Sequence, residues 1–207
     1  MKTKKLNFFP RNKDWFFLNL PVSIMFFSLI YNPSLWSVFT PYSGYTAFVL
    51  LIIVLSLNPL VFLFPKQLWL KKINRHRRVI GVAVFTYAFV HVLCFVIKRG
   101  GLIETLPYML HPVIAPGMIA FFIFFILTVT SNNISIKKLG FRRWKKIHKY
   151  VYLAEVCLLL HLVLLGNNPK LLGPYPRFLG LLGLVPIIAL QLIRKYKQKK
   201  ENSNPPF

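Results

Sequence analysis

Six apolar runs, at residues 15–31, 44–64, 79–97, 113–130, 148–165 and 178–193, take up most of the chain. Each is close to the ~17–25 residues that a helix needs to cross the hydrocarbon core of a bilayer. Lipid offers no water to exposed N–H and C=O groups, so such a run must pair its backbone internally and be helical. The expected fold is an all-α integral membrane protein, a six-transmembrane helix bundle. Residues 15–194 make up the membrane domain, with basic tails at 1–14 and 195–207. A composition that is 56% hydrophobic, with a mean hydropathy of +0.55, excludes a soluble domain of this length. The first run follows basic residues as a secretory signal does. Pro21 interrupts it and no small-residue cleavage site follows, so it is expected to be retained. Pro186 in the last run is tolerable in a membrane helix.

The net charge of +23 invites a nucleic-acid reading, but its distribution excludes one. The cations sit in clusters between apolar runs, whereas a nucleic-acid binder gathers them on one folded face. Clusters alternate with charge-poor loops at every crossing. Lys2, Lys4, Lys5, Arg11 and Lys13 precede the first run, and residues 32–43 carry no charge. Lys66, Lys71, Lys72, Arg75, Arg77 and Arg78 fill the second connection; the third has only Lys98, Arg99 and Glu104. Lys137, Lys138, Arg142, Arg143, Lys145 and Lys146 fill the fourth, Lys170 and Arg177 stand in the fifth, and Arg194, Lys195, Lys197, Lys199 and Lys200 follow the last run. Lys and Arg accumulate on the cytoplasmic side, so both termini are expected there.

Two histidines, His91 and His161, fall inside apolar runs. Ionisable groups are costly in hydrocarbon, which makes an intramembrane histidine a functional candidate. Imidazole is also a common protein ligand of haem iron. With the expected topology both runs point outward, and at about 1.5 Å per residue each histidine lies roughly 18–20 Å from its cytoplasmic end. Matched depth on parallel helices is what ligation of one haem by two imidazoles requires. The plainer reading of each is a hydrogen bond to a neighbouring helix. His148 and His76 stand at the basic mouths of the same two runs, where a solvated interfacial histidine is ordinary. Basic groups there, Arg77 and Arg78 among them, are able to pair with haem propionates. His148 is thirteen residues before His161, which on an ideal helix puts it roughly 140° away, so a shared face needs a kink or bulge. His111, in HPVIAPG, reads as interfacial. Glu155 is a mid-membrane carboxyl that is protonated, paired or part of a proton path. Cys94 and Cys157 are read as small hydrophobes, with neither a CxxCH nor an iron–sulfur spacing around them.

The run KKLGFRRWKKIHKYVYLAEVCLLLHLVLLG, residues 137–166, resembles the signature of MsrQ (formerly YedZ), the haem-binding membrane subunits of bacterial periplasmic methionine sulfoxide reductase systems. RRVIGVAVFTYAFVHVLCF, residues 77–95, resembles the same family's earlier RR…LH segment, and SGYTAFVLLIIVLSLNPL is similar to its second span. The likeness covers approximately residues 43–194 and extends to the wider ferric reductase-like transmembrane group. It implies that His91 and His161 ligate an outer b-type haem and that His148 serves an inner one, giving one or two haems. For the inner haem's second ligand, His76 stands fifteen residues before His91, while Arg78 and Arg77 occupy the thirteen- and fourteen-residue positions. Glu155 in place of an aliphatic residue, and HPVIAPG in place of a basic stretch, are further departures.

The resemblance implies electron transfer across the bacterial inner membrane. The donor side is a cytoplasmic flavin reductase, flavin mononucleotide (FMN) or quinol. The acceptor is a periplasmic molybdenum-containing methionine sulfoxide reductase, and no substrate site of the chain's own is identified. No GxGxxG follows a strand pattern, so the donor is expected to be a separate protein or molecule. Two alternatives are a stand-alone ferric or oxygen reductase and a non-haem transporter or structural membrane protein. No inverted repeat supports the transporter.

Overall fold

The structure is a computed structural model that describes residues 13–166 and 178–203. The basic residues at 2–11 and the loop cations Lys170 and Arg177 lie outside the described residues. All regular elements among the described residues are helical. They are α1 (Lys13–Tyr31), a 3-10 turn (Pro33–Leu35), α2 (Trp36–Leu63), α3 (Leu68–Arg75), α4 (Arg77–Lys98), α5 (Leu102–Met109), α6 (Ala115–Val129), α7 (Asn133–Leu139), α8 (Phe141–His148), α9 (Val151–Gly166) and α10 (Phe178–Ser203).

Five of these helices close a ring. α4 packs between α2 and α6, α9 between α6 and α10, and α10 returns to α2. α1 lies outside the ring against α4. One core cluster draws a buried side chain from every member of the ring: Leu51 and Phe48 of α2, Val84 of α4, Ala120 and Phe124 of α6, Ala154 of α9, and Ile187 of α10. The outward faces remain apolar. Ile119, Phe122, Phe125, Ile126 and Val129 of α6 are exposed, as are Leu153, Val156, Leu160 and Val163 of α9. Spacings of three and four make each set one helix face. Exposed apolar area on this scale fits a lipid solvent rather than water.

By length and composition, three described helices can cross a membrane: Pro33–Leu63, Arg77–Lys98 and Phe141–Leu165. A fourth is counted if Ala115–Val129 and Asn133–Leu139, which meet at 91°, form one bent span. Trp15–Tyr31 is apolar but shorter. The all-α membrane class therefore holds, while the expected six spans are matched by three to four such helices among the described residues.

Two boundaries differ from the sequence reading, each for a local reason. The second helix starts at Trp36 rather than near residue 44. The hydroxyls of its first turns are satisfied within the helix, Thr40 Oγ1 donating to the Trp36 carbonyl (2.6 Å) and Ser43 Oγ to that of Phe39 (2.7 Å). Those residues therefore enter the membrane helix despite their polarity. The fifth run is interrupted just after His148. There Lys149 N–H bonds the Lys146 carbonyl, Tyr150 N–H that of Ile147, and Tyr152 N–H that of Lys149. These i→i−3 bonds tighten the helix, as in a 3-10 turn, and break the register between His148 and His161.

Side-chain polar contacts join the helices where lipid gives no hydrophobic drive. Thr86 Oγ1 of α4 donates to Asn19 Oδ1 of α1 (2.7 Å), and Arg77 Nη1 donates to Asn58 Oδ1 of α2 (2.7 Å). Glu155, only 2% exposed, resolves as a paired group: Gln191 Nε2 of α10 donates to its Oε2 (3.1 Å) and Oε1 (3.4 Å). Replacing Gln191 by Leu leaves a buried carboxyl without this donor and is expected to cost about 1–3 kcal/mol. The double change Glu155→Leu with Gln191→Leu is expected to recover most of that loss. Thermal unfolding in detergent measures both, and equal melting temperatures for wild type and Gln191→Leu would show the pair to be irrelevant to stability.

Candidate functional site

The ring encloses a cavity of about 680 Å³, lined by α2, α4, α6 and α9. It lies at the end where α2 and α6 begin and where α4 and α9 finish, since Trp36, Ile114, Lys98 and Leu165 all reach it. α4 and α9 thus run in the same direction and carry their histidines to the same end. His91 and His161 both line this cavity. At about 1.5 Å per residue they stand roughly 8–11 Å from the ends of their helices.

Both imidazoles are seated in the same way. His91 Nδ1 is 2.9 Å from the Thr40 carbonyl of α2, and His161 Nδ1 is 2.7 Å from the Val113 carbonyl just before α6. A carbonyl only accepts, so each Nδ1 donates and carries the proton. That leaves a lone pair on each Nε2, the form in which a neutral imidazole binds a metal. A glycine then makes room for each ring. A Cβ built at Gly44 would stand 2.8 Å from His91 Nδ1, and one at Gly117 would stand 3.0 Å from both Cε1 and Nδ1 of His161. In each case the carbonyl precedes the glycine by four residues, one helical turn, so the two stack on one face. The sequence reading named the histidines but missed Gly44, Gly117 and the two carbonyls. A small residue within an apolar run permits close helix approach, but Gly81 carries the same signal with open space beside it, so the type alone does not single out Gly44 and Gly117.

The other expected site residues gather at the opposite end. His148 Nδ1 donates to the Trp144 carbonyl (3.1 Å), its Nε2 lies 3.3 Å from Ser131 Oγ, and its ring packs 4.1 Å from that of Trp144. Arg77 and Arg78 are within electrostatic reach of it, and Arg78 Nη1 donates to Asn133 Oδ1 (3.0 Å). His76 is the hinge residue between α3 and α4; its N–H bonds the Ile73 carbonyl and its own carbonyl accepts from Ile80. None of these four lines the cavity that holds His91 and His161. The basic clusters sit at this end, on short helices whose Trp69, Ile73 and Phe141 are exposed beside Lys71, Lys72, Arg142 and Arg143.

The cavity mouth is polar at its rim. Trp36, Lys98, Arg99, Tyr108 and His111 surround it. The HPVIAPG segment supplies both His111 there and the Val113 carbonyl inside. Among the described residues no three His, Cys, Asp or Glu side chains converge as a bare metal ion would need. Two Nε2 lone pairs on rings that line one mainly apolar chamber suit instead a metal whose other positions are filled by a flat organic ligand. The volume lies within the ~300–1,000 Å³ of small-molecule and cofactor pockets. Residues 43–164 match the model of the family described as the ferric reductase like transmembrane component.

The chain belongs to that family. The match covers α2 through α9 and thus both histidines of the cavity. The heme-binding subunit MsrQ of the protein-methionine-sulfoxide reductase from Rhizobium meliloti is 32% identical over 157 residues, covering 73% of this chain and 67% of that protein. The corresponding Brucella ovis subunit is 42% identical over 84 residues, 39% of this chain and 37% of its own. The magnetosome protein MamZ of Magnetospirillum gryphiswaldense is 34% identical over 132 residues, 61% of this chain but only 19% of MamZ. The chain therefore spans about a fifth of the length of that relative. The resemblance to MsrQ read from the fifth run is upheld.

Proposed function

We propose that this chain holds a b-type haem between His91 and His161 and carries electrons across the bacterial inner membrane. One observation carries the reading: two imidazoles from parallel helices line one apolar cavity, each with its Nδ1 proton committed to a carbonyl and its Nε2 lone pair left over. Haem supplies a one-electron couple, and the chain's part is to fix its ligands, exclude water and set its surroundings. The Thr40 and Val113 carbonyls hold the ligand tautomers, and donation to them raises the basicity of each Nε2. Phe48, Leu51, Val84, Phe121 and Phe124 keep the chamber dry.

The same reading places both termini in the cytoplasm, with six crossings and the cavity at the periplasmic end. His148, with Arg77, Arg78 and His76 nearby in sequence or space, then marks a second, cytoplasmic haem position. Electrons enter from a flavin reductase, FMN or a quinol, and leave to a periplasmic methionine sulfoxide reductase. The basic helices α3, α7 and α8 suit an acidic or phosphorylated donor.

Haem content and reoxidation test this. Protein purified from haem-replete cells is expected to show a Soret band and a low-spin reduced spectrum. Reduced protein is expected to be reoxidised by a purified periplasmic methionine sulfoxide reductase supplied with methionine sulfoxide. Rapid reoxidation by ferric chelates alone would favour the stand-alone reductase. A protein that takes up no haem on supplementation would end both.

A further inference from the structure

The cavity has one cationic wall, and the haem reading leaves it without a task. Among the described residues, Lys98 and Arg99, at the end of α4, are the only Lys or Arg side chains that line it, and no described Asp or Glu does. The helix stops there because the chain turns through Gly100 and Gly101, at φ +91° and +145°. Arg99 is held between rings: its guanidinium carbon lies 3.7 Å from the Tyr108 ring centroid and 5.6 Å from that of Phe95. Its Nε is buried and has no hydrogen-bond partner among the described residues. Lys98 Nζ sits 5.4 Å over the Trp36 ring, on the same rim. The nearest acid in sequence, Glu104, turns its carboxylate onto Gly101. A part-buried guanidinium fixed in place with an unused donor calls for an anion, because such donors are costly to leave unmade.

We infer that Arg99, assisted by Lys98, binds the carboxylate edge of the haem at the outer mouth. The inference rests on the haem reading above. Away from the rim the described lining is mainly apolar, so the propionate edge is favoured toward the rim, where the two cations stand. A guanidinium matches a carboxylate with two parallel N–H donors, which a lysine cannot reproduce. The contact would orient the ring with its acidic edge outward. The sequence reading had assigned propionate pairing to the arginines of the opposite end.

The test compares haem with its dimethyl ester, which lacks propionate charge, in wild type, Arg99→Gln, Arg99→Lys and Lys98→Gln. Two readouts serve, haem transfer to apomyoglobin and the midpoint potential. Wild type is expected to lose the ester about tenfold faster than haem, a factor worth ~1.4 kcal/mol. Arg99→Gln is expected to lose both at the same fast rate, and Arg99→Lys to fall between. The midpoint potential of both haem and ester is expected to drop in Arg99→Gln, because loss of a nearby positive charge favours the ferric state, so the potential reports the nearness of Arg99 and the difference in loss rates reports the propionate contact. Equal retention and potential in wild type and Arg99→Gln would overturn the assignment and leave the histidine ligation standing. So would an ester effect that persists undiminished in Arg99→Gln. Arg99→Lys keeps the charge and guards against a folding defect. A wild type without any Soret band would instead remove the haem reading itself.

Discussion

Alanine at either His91 or His161 is expected to remove most of the haem from the purified protein. The two imidazoles face one chamber from different helices, and neither has a substitute there: among the lining residues His111 alone shares their chemistry, and it sits exposed at the rim. A haem held by one of the two imidazoles alone would be bound more weakly and would lose its low-spin state. Pyridine haemochromogen assay and the Soret band report both. His148→Ala, at the opposite end, is expected to lose only part of the haem, because it does not touch this cavity. Wild-type haem content in both His91→Ala and His161→Ala would contradict the ligand assignment outright.

The glycine seats predict the second large effect. Gly117→Ala would bring a methyl group to about 3.0 Å from three atoms of the His161 ring, and Gly44→Ala would bring one to 2.8 Å from His91 Nδ1. Neither ring can move without loosening its bond to the Val113 or Thr40 carbonyl. Both substitutions are expected to reduce haem content and to shift the remainder from a low-spin toward a high-spin spectrum, with valine worse than alanine. Gly81→Ala is the control. Its new methyl group meets nothing within 4 Å, and in a helix interior alanine is favoured over glycine by up to ~1 kcal/mol. A Gly117→Ala protein spectrally identical to wild type would show that ring placement does not depend on this contact.

What was legible in the sequence follows from what lipid demands. Apolar runs must be helices there, and a histidine within one stands out, so the membrane class and the His91–His161 pair were readable from residue types alone. Their shared end of the ring followed from helix direction. The remainder depended on contacts between segments far apart in the chain. Nothing local distinguishes the carbonyl of Thr40 from any other carbonyl, or Gly117 from a glycine with open space such as Gly81. The partner of Glu155 came from the last helix, 36 residues away. Arg99 was counted as a sparse outer-loop charge, because hydropathy does not reveal that its Nε is buried beside a cavity. The break after His148 arises from three tightened backbone bonds that no residue type in KYVY announces.

The atoms that steer both imidazoles belong to the peptide chain itself. Side-chain replacement at 40 or 113 cannot delete an oxygen that every amino acid carries. Evolution can therefore exchange those residues freely while the imidazoles stay aimed. Anyone grafting this pair of rings onto another scaffold would have to reproduce one helical stretch and one turn of backbone at the correct spacing, since among the described residues it is backbone carbonyls that bond the two Nδ1 atoms.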